Sequence, residues 1–117
     1  MDSVYERLNH LNVKFELIKL TNEKILGANQ ISETKIGELF AYCPTFGGTE
    51  KVVDGVIVYE DTAQVTTHFR PDIQSDCRLK RIDNDAMYEI ITEPENYKME
   101  NIALVFKIRR LKGKFNG

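Results

Sequence analysis

The chain has no tryptophan, two cysteines, three prolines and two histidines in 117 residues. Cys43 and Cys77 cannot make a disulfide framework, and neither sits in a CxxC pair. They read as reduced, partly buried thiols of a reducing compartment, with a single bridge between them geometrically open. His10 and His68 lie far apart, and neither has metal-ligand spacing to another histidine or cysteine. No dinucleotide fingerprint, P-loop or nucleophile elbow occurs, and Gly47-Gly48 is a bare pair that defines no phosphate cradle. No apolar run approaches the ~20 residues of a membrane helix. The N-terminus, MDSVYERLNHL, mixes charges where a secretory signal needs a continuous apolar stretch. Carboxylates neighbour one another at Glu60-Asp61, Asp83/Asp85 and Glu93/Glu95, but all flank turns, where acids are normally solvated, so acid–base catalysis is not expected of them. These absences point away from an enzyme: the expectation is no catalytic residue, no metal, no cofactor and no membrane.

What is present is an ordinary globular composition, 42% hydrophobic and 29% charged, in a length that suits one domain with one core. Net charge is -2. It is unevenly spread: 107–117, KIRRLKGKFNG, carries Lys107, Arg109, Arg110, Lys112 and Lys114 and no acid, on a body left more acidic. A basic end on an acidic body either meets an acidic partner or solvates the last strand.

Period-2 alternation dominates the pattern. In LNVKFELIKL, Leu11, Val13, Phe15 and Leu17 alternate with Asn12, Lys14 and Glu16, which predicts a half-buried strand over 10–20 with a bulge or bend near Leu17-Ile18, where the phase breaks. One or two helical turns capped by Asp2 or Ser3 precede it. Residues 21–35 read as a polar loop or a splayed hairpin connection. A second strand, 36–43, stops at Pro44, which cannot donate to a ladder. Further strands are expected over 63–69, 77–82, 86–92 and 102–110, separated by Arg70-Pro71, Asp83-Asn84-Asp85 and Glu93-Pro94. Between the second and third strands lies an insertion, 44–62, with a flexible Gly47-Gly48 opening and Asp54-Gly55 between β-branched runs, a hairpin signal. About six short strands with little helical periodicity favour an all-β fold, a small antiparallel barrel or sandwich.

The ordered set Phe69-Arg70-Pro71, Asp72-Ile73, Cys77-Arg78-Leu79, Tyr88-Glu89-Ile90 and Leu104 to Lys107 resembles the head-closure proteins of tailed bacteriophages, also called head–tail adaptors, connectors or stoppers. Leu39-Phe40-Ala41-Tyr42-Cys43 and Gly48-Thr49-Glu50 are similar to that family's second strand and the element after it, with Phe40 where the family often has tryptophan. The resemblance covers roughly 11–111 and is loose before Thr34.

That resemblance implies a six-stranded antiparallel barrel assembled as a ring, twelve-fold in the family, beneath the portal. It implies a virion neck location, assembly in the bacterial cytoplasm, and three kinds of partner: a portal or adaptor ring, a tail-completion protein and copies of itself, with packaged DNA in the channel. It is compatible with a monomer in isolation. The insertion would serve as plug or inter-subunit loop through Phe46, Gly47, Gly48, Val52, Val53, Val56, Ile57, Val58 and Tyr59, which are too apolar for an idle surface. Arg78, Lys80, Arg81, Arg109, Arg110, Lys112 and Lys114 would face partners. The alternative reading is a small barrel that binds nucleic acid through the same basic residues. Against it, Phe15, Phe69 and Phe106 fall on the apolar phase of their strands rather than on a wet stacking face.

Overall fold

The computed structural model describes residues 3–111, and within that span the backbone alone at 23, 25, 47–51 and 58–60. Lys112 and Lys114 lie outside the described residues. The chain opens with one helical turn, α1 (Val4–Arg7), capped by the Ser3 side chain, which accepts from the Glu6 amide. Eight strands follow: β1 (Val13–Ile25), β2 (Ala28–Tyr42), β3 (Gly47–Val53), β4 (Val56–His68), β5 (Cys77–Arg81), β6 (Met87–Ile90), β7 (Glu95–Asn96) and β8 (Ala103–Arg110).

All ladders are antiparallel, and six strands close on themselves. β4 pairs with β2, β2 with β1, β1 with β5, β5 with β6, β6 with β8, and β8 returns to β4. The expected all-β sheet of about six strands is therefore present as a barrel-like closed sheet. Closure removes edges that short strands would otherwise expose. Alternation fills the interior: Phe15, Leu17, Val65, Leu79, Tyr88, Phe106 and Ile108 are buried together, while Lys14, Gln64 and Lys107 on intervening positions face water. Each large apolar side chain removed from water contributes about 1.5–3 kcal/mol.

β1 and β2 run much further than expected. The first strand starts later, at Val13, because Asn9 and His10 complete the turn after α1, their amides bonding to the carbonyls of Glu6 and Arg7. It then continues to Ile25. The register slips between Leu17 and Ile18, at the predicted bulge, and beyond it Ile18–Ile25 pairs with Ala28–Lys35. So 21–35 takes the hairpin of its two readings, laddered along its length, and not the loop. Likewise 44–62 is a hairpin: Gly47 to Val53 pairs with Thr62 to Val56. Gly47 and Gly48 are laddered to Thr62 and Asp61 rather than forming a flexible opening. In 95–101, Glu95 and Asn96 pair with Val105 and Leu104, and a 3-10 turn spans Tyr97–Met99. Lys98, Met99 and Asn101 all have positive φ there.

The Phe69-Arg70-Pro71-Asp72 segment has a defined task. β2 and β4 are laddered at Ala41 and Tyr42 and then diverge. Two side chains bridge the gap: the Thr67 hydroxyl donates to the Phe40 carbonyl (2.7 Å), and Arg70 Nη1 donates to the Glu38 carbonyl (2.6 Å). Asp72 holds the guanidinium through both oxygens, at 3.0 and 2.8 Å. Gly37 makes room for it, since a Cβ there would stand 2.9 Å from Arg70 Nη2.

Gly37→Ala should therefore displace the guanidinium. We expect Gly37→Ala and Arg70→Ala each to cost about 1–2 kcal/mol, on the scale of a lost charged hydrogen bond. In a denaturant double-mutant cycle the two costs should be far from additive, because both break one clamp. Additivity would show that the clamp is not what Gly37 serves.

Candidate functional site

Strand direction fixes where the excess strand length goes. β1 runs from the rim carrying Val13 and the β5–β6 turn to the rim carrying Arg70 and Cys77, stays paired with β5 as far as Lys19, and leaves there as the outer hairpin 20–33, arm 1. β4 enters the closed sheet at Thr62, on the opposite rim, so the hairpin Gly47–Thr62, arm 2, leaves from the rim of Arg81, Met87 and Arg110. The two arms thus extend from opposite rims, arm 1 by roughly 20 Å and arm 2 by roughly 24 Å of strand.

Both tips are two-residue turns with positive φ at both centres: Leu26 (54°) with Gly27 (83°), and Asp54 (51°) with Gly55 (78°). This is the primed turn geometry that matches strand twist. Asp-Gly is a usual sequence for it. Leucine is not, since an ordinary side chain is disfavoured there.

Arm 2 is apolar on both faces near its tip. The register puts Val52 opposite Ile57 on one face and Val53 opposite Val56 on the other, and all four are exposed, Val52 at 70%. The side chains of Val58 and Tyr59 lie outside the described residues. The stem is anchored by Phe46, which packs on the core with its ring centroid 5.6 Å from that of Tyr88. The Arg81 guanidinium covers the other side, 4.3 Å from the Phe46 centroid, with Nε 2.8 Å from Asp83 Oδ1. Tyr88 in turn meets Phe15 edge-on at 6.1 Å. Phe46 is therefore a rivet between arm and core, where the sequence suggested one more residue of a loop.

The basic residues expected to face partners are gathered on β5 and β8, and each stands beside an acid of its own chain. Arg78 is 3.5 Å from Glu33, Lys80 3.7 Å from Asp85, Arg109 2.8 Å from Glu89 and Arg110 3.9 Å from Asp61. Arg81 takes Asp83, as above. The positive charge of this face is thus compensated locally, which weakens its field on a polyanion. Glu89 stands between two buried neighbours, Tyr88 and Ile90, and is paired in register with Arg109, so the Tyr88-Glu89-Ile90 motif acts as a core-plus-clamp strand. The pairings of Arg78 with Glu33, Arg109 with Glu89 and Arg110 with Asp61 join residues distant along the chain, so the sequence could not show them.

On the wet face of β1 and β2, Lys35 reaches both Glu38 (2.8 Å) and Glu16 (3.4 Å), and Lys14 reaches Glu38 (3.0 Å). The Lys35 and Lys14 contacts hold the Glu38 carboxyl below its usual range. The Tyr5 hydroxyl donates to Glu100, which raises its pKa to about 12 and ties α1 to the turn before β8. Among the described residues, no group of His, Cys, Asp and Glu is placed to hold a metal ion, and no helix is long and apolar enough to cross a membrane. Both thiols are buried and free; burial pushes Cys43 up to about 11 and raises Cys77.

The chain matches no protein-family model and no curated protein sequence. It is similar in fold to a chain in a solved structure described as the virion of a native gene transfer agent particle. The TM-score is 0.66 at 14% identity, over 88% of this chain and 97% of that one.

Two outcomes test the local geometry. Phe46→Ala should cost about 1–3 kcal/mol, below a fully buried aromatic because the ring is half exposed. Amide exchange should accelerate along 47–62 while β1 and β5 stay protected; equal acceleration in both would remove the rivet. For the thiols, a raised folded pKa means that the proton is held more tightly in the folded state. The associated stability is intact below pH 9.0 and is lost as pH rises through about 11. Denaturant midpoints should fall over that interval more for the wild type than for Cys43→Ala, and aromatic disulfide reagents should reach neither thiol at neutral pH until the chain unfolds.

Proposed function

We propose that this chain is a structural subunit of the neck of a tailed, phage-like particle. As a ring between portal and tail it closes the DNA channel after packaging and forms the surface on which the tail docks. Its partners in this reading are a portal or adaptor ring on one side, a tail-completion protein on the other, copies of itself around the ring, and the packaged DNA that the channel conducts. It works in the virion neck, is assembled in the bacterial cytoplasm, and performs no catalysis.

The observation that carries the reading is arm 2. A hairpin that leaves the closed sheet and exposes β-branched residues on both faces is unfavourable in water and has a use only when something covers it. The fold likeness to a chain of a virion particle, spanning nearly all of that chain, supports the same reading. So does the order of the Phe69-Arg70-Pro71 and Tyr88-Glu89-Ile90 elements. The locally compensated charge of β5 and β8 suits a subunit that DNA slides past, and it gives no support to a nucleic-acid-binding module.

The test is to replace 48–59 by a two-residue turn in a particle-producing strain. Arm 2 lies outside the closed sheet, so the purified variant should keep its strand signature and melt within a few degrees of wild type. Filled heads should then lose DNA or fail to take tails. Normal yields of stable, tailed particles would end the reading. Co-sedimentation of the wild-type protein with portal or adaptor rings, lost in the variant, is the matching measurement in solution.

A further inference from the structure

Arm 2 is a two-stranded ribbon outside the closed sheet, and a lone pair of strands is marginal in water. Its β4 strand has β3 along one edge, from Val56 to Thr62. The opposite edge of β4 carries β8 from His68 to Thr62. Beyond Thr62, among the described residues, that edge has no ladder over 56–61. An open edge presents backbone donors and acceptors that a further strand would satisfy.

The last strand leaves the closed sheet beside this edge. On its far side β6 accompanies it only to the rim, where Tyr88 pairs with Arg110 and the Leu111 amide donates to the Met87 carbonyl (2.8 Å). On its near side the ladder ends at Arg109 opposite Thr62. One step further, Arg110 Nη1 stands 3.9 Å from Asp61 Oδ2, so β8 still tracks β4 at the base of the arm. Residues 112–117, KGKFNG, lie outside the described residues; they contain two lysines, one phenylalanine and no acid.

Continued without a slip, the β4–β8 register sets this segment across rows that β3 and β4 already define. Lys112 falls in the row of Tyr59 and Glu50, Gly113 in that of Val58 and Lys51, Lys114 in that of Ile57 and Val52, and Phe115 in that of Val56 and Val53. A cation thus shares a row with an acid, and a glycine takes the row of the one basic residue of arm 2. The aromatic takes the row of two exposed valines, and Lys114 can lay its methylene stem along an apolar row. A slip of one residue in either direction puts a lysine in the row of Lys51, so the charges select this register. Arm 2 as a whole has Lys51 against Glu50, Asp54, Glu60 and Asp61, and the two added lysines offset part of that excess.

We infer that the free β4 edge of arm 2 is the docking site for residues 112–115 of the same chain, which extend β8 along it as a third strand. Docked, the segment makes the arm a three-stranded ribbon continuous with the closed sheet, and Phe115 covers Val53 and Val56. Val52 and Ile57 then remain as the open apolar surface of the tip. The inference stands on the closed sheet and its register and does not depend on the neck reading.

The experiment uses the full chain with two added thiols, Ile57→Cys with Lys114→Cys, which the register sets opposite one another. Ile57→Cys with Lys112→Cys is the comparison: it removes the same charge, but two residues of offset put the pair beyond the reach of a disulfide. Both native thiols are buried, so wild type is the blank. Under mild oxidation in dilute solution the first pair should close an intramolecular disulfide several-fold faster than the second, and in urea the difference should vanish. In a second measurement, the joint substitution Lys112→Glu and Lys114→Glu should speed amide exchange over 56–61 several-fold while β1 and β5 stay as protected as in wild type. All these positions lie outside the closed sheet, so melting temperatures should stay within a few degrees of wild type. Equal oxidation of the two pairs in native protein would overturn the inference, as would unchanged exchange over 56–61 after charge reversal. Disulfide-linked dimers in place of the closed monomer would overturn it too, by showing that the segment serves another copy. Any of these results leaves the neck reading standing, because that is decided by particles lacking arm 2.

Discussion

The ladder between β4 and β8 is the contact on which the architecture depends. It runs from Thr62 opposite Arg109 to His68 opposite Ala103 and converts an open meander into a closed sheet. Without it the inner faces of β1, β5 and β6 would form one apolar face of a twisted sheet with no second layer to cover it. With it, Phe15, Val65, Leu79, Tyr88 and Phe106 enclose one another. The ladder also fixes the direction of β4 and hence the rim from which arm 2 departs. The placing of both arms follows from closure together with the fact that β1, β2 and β4 are longer than the closed sheet can use.

Where the excess strands leave, the molecule needs devices to end the sheet cleanly, and it has a different one at each rim. At one, the bulge after Leu17 turns the β1–β2 hairpin outward, and Arg70 fills the widening gap between β2 and β4 with a guanidinium in place of ladder bonds. At the other, Asn12 pins the end of β2, its amide donating to the Cys43 carbonyl and accepting from the Cys43 amide. The chain then passes Pro44, and Phe46 inserts beside Tyr88 before the strand resumes as β3. A gap bridged by a charged side chain and a joint riveted by an aromatic ring differ in stiffness: the first is held by directional bonds, the second by packing that can re-form after a small tilt.

Much of the closed sheet was legible in the sequence, because its strands have one wet and one dry face. The alternation at Val13, Phe15 and Leu17, the phase break at Ile18 and the breaks at Arg70-Pro71 and Asp83-Asn84-Asp85 all carry direct physical meaning. Arm 2 was half legible: Asp54-Gly55 signalled its turn, but its glycines suggested looseness where the backbone is laddered. Arm 1 was legible only as one of two readings, a hairpin connection or a loop: among the described side chains of 21–25 and 28–34 none is buried, so no alternation is imposed, and Leu26-Gly27 lacks the Asn or Asp that marks a primed turn. The ion pairs of Arg78, Arg109 and Arg110 were hidden because register, not spacing, creates them. Reading the basic residues from composition alone overstated how much positive charge the surface presents outward.

That compensation bears on how a neck subunit could work. A channel wall must let a dense polyanion pass, so strong uncompensated cations would slow it and strong anions would resist its entry. Arg78, Lys80, Arg81, Arg109 and Arg110, each beside an acid, give their face short-range dipoles whose field decays within the screening length of the solution, about 8–10 Å, as the neck role proposed for this chain would require of such a wall. The excess of acidic over basic residues in 47–62 sets the arm 2 hairpins of separate copies against one another, which disfavours tip-to-tip aggregation through Val52, Val53, Val56 and Ile57.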